Sequence, residues 1–176
     1  MSDSRSNDPR LTQLAAWLAQ LESPKTLPDT LRAASADASF RRYFRVDAAD
    51  GSTLIVMDAP PPQEDVRPFV QVAELFGATG VTVPQVLAQD VERGFLLLSD
   101  LGNTTYLKQL GPDTAHKLYL DAIDALVLLQ VQSQPGQLPE YDRALLHREL
   151  MLFPDWYVGK HLNATLTDTQ KNELDK

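Results

Sequence analysis

Between Leu31 and Leu98 the chain alternates short apolar, aromatic or β-branched runs with turn-forming clusters, and helical spacing interrupts that rhythm once. Runs of this length read as strands that must share a sheet to satisfy their backbone groups. Leu31 to Ala34, Phe40 to Val46 and Thr53 to Asp58 are three of them, the last two separated by the turn Asp47 to Ser52. After Pro60-Pro61-Pro62, the stretch Asp65 to Phe76 puts Phe69, Val72, Ala73 and Phe76 on one helical face before Gly77 and Gly80. Val81 to Ala88 and Gly94 to Leu98 follow as two more strands around the turn Gln89 to Arg93. The order β-β-β-α-β-β predicts one mainly antiparallel five-stranded sheet with a helix packed on it.

Helical patterns bracket this block. Asp8-Pro9 supplies an N-cap and a first-turn proline, and Leu11, Leu14, Leu18 and Leu21 recur at helical spacing until Ser23-Pro24 and Leu27-Pro28. After Asp100-Leu101-Gly102 a long helix from near Asp113 carries Tyr119, Ala122, Ile123, Leu126 and Leu129. Gln134-Pro135-Gly136 makes a break, and Asp142 to Phe153 and Asp168 to Leu174 read as helices. The predicted class is α+β, with an N-terminal helix and linker over 1–30, the sheet lobe over 31–101 and a helical region over 102–176.

Composition excludes several function classes. With no cysteine there is no disulfide scaffold and no thiolate metal site or nucleophile. His116, His147 and His161 are far apart, and none has a second ligand at metal-motif spacing. A net charge of −8 disfavours a nucleic-acid partner, whose phosphates select basic surfaces. No stretch reaches the roughly 18 to 20 apolar residues of a bilayer span, and Met1 to Arg10 has no apolar signal core, so no membrane partner and a cytoplasmic location are expected.

The layout, with a short polar connector and a long helix after the fifth strand, is that of the small lobe of the protein-kinase-like fold. Ser35-Ala36-Asp37-Ala38-Ser39-Phe40-Arg41-Arg42-Tyr43-Phe44-Arg45-Val46, Leu54-Ile55-Val56-Met57-Asp58-Ala59-Pro60 and Gly94-Phe95-Leu96-Leu97-Leu98-Ser99-Asp100-Leu101-Gly102 resemble the aminoglycoside-phosphotransferase superfamily. The similarity is to its bacterial branch of anomeric N-acetylmuramate/N-acetylglucosamine kinases of cell-wall recycling, and runs from about Leu11 to the C-terminus. The resemblance implies an ATP- and Mg2+-dependent kinase that phosphorylates an amino sugar, with the metal ligands and the catalytic aspartate in a later part of the fold. An aminoglycoside or other small-alcohol kinase and a non-catalytic nucleotide-binding module are the alternatives.

A small lobe must cover the phosphates, supply them a cation and offer a hinge to adenine. The covering turn is Ala36, Asp37, Ala38 and Ser39, which a ligand-free strand connection would explain as well. By resemblance the strand lysine of protein kinases falls on Met57, leaving Glu74 of the following helix without that partner. Arg41, Arg42 and Arg45 are the nearest substitutes, or else a solvated basic face. Alternation puts Arg41, Tyr43 and Arg45 on one strand face, and Phe40, Arg42, Phe44 and Val46 on the other. Ser99, Asp100 and Leu101 are the hinge, flanked by Ile55 and Tyr43 as walls for the ring, or a plain inter-domain loop.

His147-Arg148-Glu149-Leu150 mimics a kinase catalytic loop, but Glu149 stands for the aspartate and Pro154 for the asparagine, within a helical pattern. It is read as a false match, with Arg148 and Glu149 kept as candidates for facing a sugar. No catalytic residue is expected in this chain, which alone should be inactive and self-associate through the helices after Asp113. Glu149 and Asp155 are the fallback bases.

Overall fold

The computed structural model describes residues 8–36 and 39–174. The chain divides into two compact units, Met1–Ser133 and Gln134–Lys176, so that the helices after Gly102 up to Ser133 group with the sheet rather than with the rest of the helical region expected over 102–176.

In the first unit, helix α1 spans Pro9–Gln20. Its cap is the predicted one: the Asp8 carboxylate accepts the backbone N–H groups of Arg10 at 2.9 Å and Leu11 at 3.2 Å. Five strands follow, β1 Thr26–Ala36, β2 Arg42–Ala48, β3 Thr53–Asp58, β4 Val86–Asp90 and β5 Phe95–Ser99, with helix α2 Arg67–Ala78 between β3 and β4. They form one sheet in the order β1-β2-β3-β5-β4, every neighbouring pair antiparallel. This is the predicted α+β small-lobe arrangement.

β2 and β5 start within two residues of the sequence reading, at Arg42 rather than Phe40 and at Phe95 rather than Gly94, whereas β1 and β4 start five residues away from it. β1 begins at Thr26 rather than Leu31 and includes Pro28. It is an edge strand whose ladder to β2 is interrupted between Leu27 and Arg32, and an edge is where a sheet accepts a residue without an N–H. β4 begins at Val86 rather than Val81, just after Pro84, which has no N–H for a ladder.

The sheet is covered on both faces. On one, Leu14, Trp17 and Leu18 of α1 pack with Val46, Leu54, Val56, Phe95 and Leu97, and the Trp17 and Phe95 rings lie 5.7 Å apart. On the other, Met57, Leu96 and Leu98 are buried beneath Tyr43, Ile55, Val66 and the α2 residues Phe69 and Val70. β5 has Phe95, Leu96, Leu97 and Leu98 all buried, which is why it reads as an unbroken apolar run rather than as an alternation.

Charge enters this core at one end of β3. Asp58 is fully buried, and its carboxylate accepts Arg10 Nε at 2.9 Å, Arg10 Nη2, Arg42 Nε at 3.0 Å and Arg42 Nη2 at 2.5 Å. Arg42 also reaches Asp8, and Arg10 donates to the Arg93 carbonyl at 2.8 Å. A buried carboxylate is tolerable only when paired and hydrogen-bonded in this way. The network ties the start of α1 to β2, β3 and the β4–β5 turn.

Short helix α3, Tyr106–Gln109, and helix α4, Ala115–Gln132, complete the first unit. Ile123, Leu126 and Val131 of α4 are each more than half exposed. In the second unit Asp142 caps helix α5, Arg143–Leu152, by accepting the Leu145 N–H at 2.8 Å. A π-helical segment, Phe153–His161, continues from it, followed by helix α6, Asp168–Leu174. Sequence periodicity does not announce the π-segment, in which Phe153, Tyr157 and His161 stack at 5.6 and 5.4 Å. No helix among the described residues is long and apolar enough to cross a membrane.

Two stability predictions follow from these contacts. Gly94 has φ +72°, and a Cβ there would lie 1.9 Å from the Ala59 carbonyl oxygen, whereas Gly51, at φ +86°, faces nothing within 4 Å. Gly51→Ala should cost about 1–3 kcal/mol for the left-handed backbone alone, and Gly94→Ala distinctly more, in urea unfolding. Separately, the Arg42 hydrogen bond leads the causes that hold the Asp8 carboxyl below its ordinary range. The resulting stabilisation is complete above the unfolded-state value of about 3.9 and is lost as pH falls through the lower folded value. The melting temperature should therefore drop on acidification below pH ~4, and more shallowly in Arg42→Met.

Candidate functional site

The connector leaving β5 borders a cavity of about 410 Å³, lined by Tyr43, Arg45, Ile55, Phe69, Leu98 and residues Ser99 to Asn103. Its size falls among small-ligand sites. β2 and β3 are paired so that Tyr43 faces Met57 and Arg45 faces Ile55, while β3 and β5 set Ile55 beside Leu98. Tyr43 and Ile55, expected as walls for a ring, thus line the same cavity as the expected hinge.

The connector is held at both ends. Ser99 donates its N–H to the Gln85 carbonyl at 2.9 Å and accepts the Gln85 N–H on Oγ at 2.8 Å. The Asp100 carboxylate accepts Arg45 Nε at 2.5 Å, Arg45 Nη2 at 3.0 Å, the Thr53 hydroxyl at 2.6 Å and the Gly102 N–H at 2.8 Å. The Arg45 bond, seconded by Thr53 and Gly102 against the cost of burial, keeps the Asp100 carboxyl far below the usual carboxylate range. Leu101, between these anchors, is exposed, and its N–H and C=O make no hydrogen bond among the described residues.

The three arginines read as phosphate candidates separate as alternation requires. Arg42 is on the α1 face, committed to Asp8 and Asp58, with its guanidinium 5.5 Å over Phe44. Arg45 is on the cavity face, committed to Asp100. Arg41 lies just before β2, where Ser39 Oγ accepts its backbone N–H at 3.2 Å, and its Nε donates to Glu64 at 3.0 Å. Of the covering turn, Asp37 and Ala38 lie outside the described residues; Ala36 ends β1 and Ser39 leads into β2.

Met57 is fully buried, and Glu74 is an exposed residue beside the groove formed with Val81 to Val86, so the Lys–Glu pair of protein kinases has no counterpart at these positions. In the second unit Arg148 and Glu149 lie within α5, 3.7 Å apart and solvent-facing, which confirms a helix where a catalytic loop would be irregular. Glu149 borders one cavity with His147, and Asp155 another with His147 and Lys171. Sequence reasoning missed Thr53, Glu64 and Phe69 at the first-unit site. Thr53 was within reach of it, because a β2–β3 hairpin register beside β5 puts the first residue of β3 next to the connector.

The model of the phosphotransferase enzyme family matches residues 30–176. The N-acetylmuramate/N-acetylglucosamine kinase of Pseudomonas aeruginosa is 53% identical over 172 residues, covering 92% of this chain and 50% of that protein. The kinases of the same name from Pseudomonas putida and Neisseria meningitidis are 50% and 47% identical, covering 94% and 92% of this chain and 51% and 48% of their own lengths. The chain therefore spans about half the length of the curated relatives it matches. With a family match from within β1 through the connector and the later helices, and identity near one half to these kinases, the chain belongs to the phosphotransferase enzyme family.

Proposed function

We propose that this chain is the ATP-binding portion of a cytoplasmic small-molecule kinase that phosphorylates N-acetylmuramate or N-acetylglucosamine at the anomeric hydroxyl. The observation that carries the reading is the coincidence, in a member of this family, of a cavity walled in part by Tyr43, Ile55 and Leu98 with an extended connector at its edge whose Leu101 backbone groups make no hydrogen bond among the described residues. Adenine presents a donor and an acceptor on one edge and two apolar faces. Leu101 would meet the edge, and Tyr43, Ile55 and Leu98 the faces. The substrate assignment follows the names of the relatives.

The phosphates would lie toward the turn at Ala36 to Ser39. Arg41 is the cation best placed for them: it adjoins that turn, and its side chain is 36% exposed, whereas Arg42 is spent on the opposite sheet face. Glu64, only 13% exposed, would orient the Arg41 guanidinium by its Nε edge. In the transfer itself the anomeric oxygen attacks the γ-phosphorus, the bond to the β-phosphate oxygen breaks, ADP leaves, and the hydroxyl proton passes to a base. Magnesium would neutralise the phosphate oxygens. Among the described residues no three His, Asp or Glu side chains converge as a metal cluster, and neither its ligands nor the base are assigned to this chain.

Given ATP, magnesium and either amino sugar, the intact protein that carries this chain should release ADP and a sugar 1-phosphate, resolved by chromatography, while residues 1–176 alone should give none above a buffer blank and scatter light as more than a monomer. Absence of a sugar 1-phosphate from the intact protein would remove the substrate assignment. Arg41→Ala should weaken ATP binding roughly tenfold to hundredfold and leave adenosine binding unchanged, the loss of one charge-assisted phosphate contact. Equal affinity of wild type and variant for ATP would return Arg41 to a surface ion pair.

A further inference from the structure

Arg45 and Thr53 do more than fill the wall of the cavity. Asp100 is the third partner: its side chain is 6% exposed, that of Arg45 is 14% exposed, and the guanidinium meets the carboxylate through two nitrogens, a bidentate fork. A phosphate could reach the Arg45 fork only by displacing Asp100, which would leave a nearly buried carboxylate without its cation. The carboxylate is in turn committed to the connector. It accepts the N–H of Gly102 two residues on, an Asx-type turn closed by a residue at φ +89°, where glycine is favoured. Leu101 occupies the tip of that turn.

We infer that Arg45 and Thr53 are positioning residues for the nucleobase: through Asp100 they fix the Asp100–Gly102 turn so that the Leu101 N–H and C=O stand ready for the adenine edge. The inference rests on the ATP reading above and deepens it. Arg45 projects from β2 and Thr53 from the start of β3, both rigid sheet positions, so the turn inherits its place from the sheet. Preorganising a loop in this way reduces what ligand binding must spend on ordering it. The effect therefore belongs to the base and not to the phosphates.

Titration calorimetry on the intact protein with adenosine, ATP and inorganic tripolyphosphate separates the two roles. In Arg45→Met, adenosine and ATP should weaken by the same factor, roughly tenfold or more, with tripolyphosphate unchanged. Thr53→Val should weaken the same two ligands by a smaller common factor, and Thr53→Ser, which keeps the hydroxyl, should stay near wild type. Loss of ATP and tripolyphosphate affinity with adenosine unaffected would make Arg45 a phosphate ligand and overturn the inference. So would wild-type affinities for all three ligands in folded Arg45→Met. Should circular dichroism show that Arg45→Met does not fold, the Thr53 pair decides, and equal adenosine affinity in Thr53→Val and Thr53→Ser rejects the role. A wild-type protein that binds neither adenosine nor ATP overturns the ATP reading itself.

Discussion

Burial of β5 on both faces is the constraint on which the rest of the first unit depends. Phe95, Leu96, Leu97 and Leu98 point alternately to two apolar layers, so α1 must cover one and α2 the other. Once both layers are in place, polar side chains of the central strands can meet water only at the strand ends. Two nearly or fully buried carboxylates sit there, Asp58 at the end of β3 and Asp100 just after β5. Each is neutralised by an arginine of β2. Arg42 and Arg45 are three residues apart, and the period of two sends them to opposite faces and toward opposite ends of the sheet.

The charge pattern reshapes the question of how phosphate is held. In protein kinases a strand lysine and a helix glutamate face one another across the nucleotide cleft. Here the strand position is a buried methionine within the α2-side core, and Glu74 is outside it. At the margin of the sheet lies an ion pair, Arg41 with Glu64, beside the turn that follows β1, and Arg41 is the cation proposed above for the phosphates. A methionine in the middle of β3 keeps that face of the core apolar and avoids the desolvation cost of a lone central ammonium.

Much of this was legible in the residue pattern. Short runs and turn clusters named five strands and the helix between the third and fourth, and Asp8-Pro9 named the start of α1. The starts of β1 and β4 were displaced because edge strands accept residues, such as Pro28, that pattern rules treat as breaks. The π-segment after α5 leaves no periodic signature, since its stacked Phe153, Tyr157 and His161 are spaced by four, as a helix would also space them. Tyr43, Ile55 and the connector were recognisable as a group by resemblance. Glu64 was not, because a glutamate in a proline-rich link carries no local sign of a partner, and Thr53 shows its place only once the β2–β3 register and the position of β5 are combined.

Sequence alone determined the five strands, the main helices, their order and the facing of each β2 residue, since these rest on local propensity and on a period of two, whereas the grouping of α4 with the sheet and the division after Ser133 belong to the tertiary structure. Only tertiary structure decided which carboxylate each arginine meets. Arg42 finds Asp58 sixteen residues on, and Arg45 finds Asp100 fifty-five residues on, distances along the chain over which no periodicity speaks. The β2–β3 pairing closes the first and the β3–β5 pairing the second, and with that closure a basic strand becomes one structural staple and one brace on the connector.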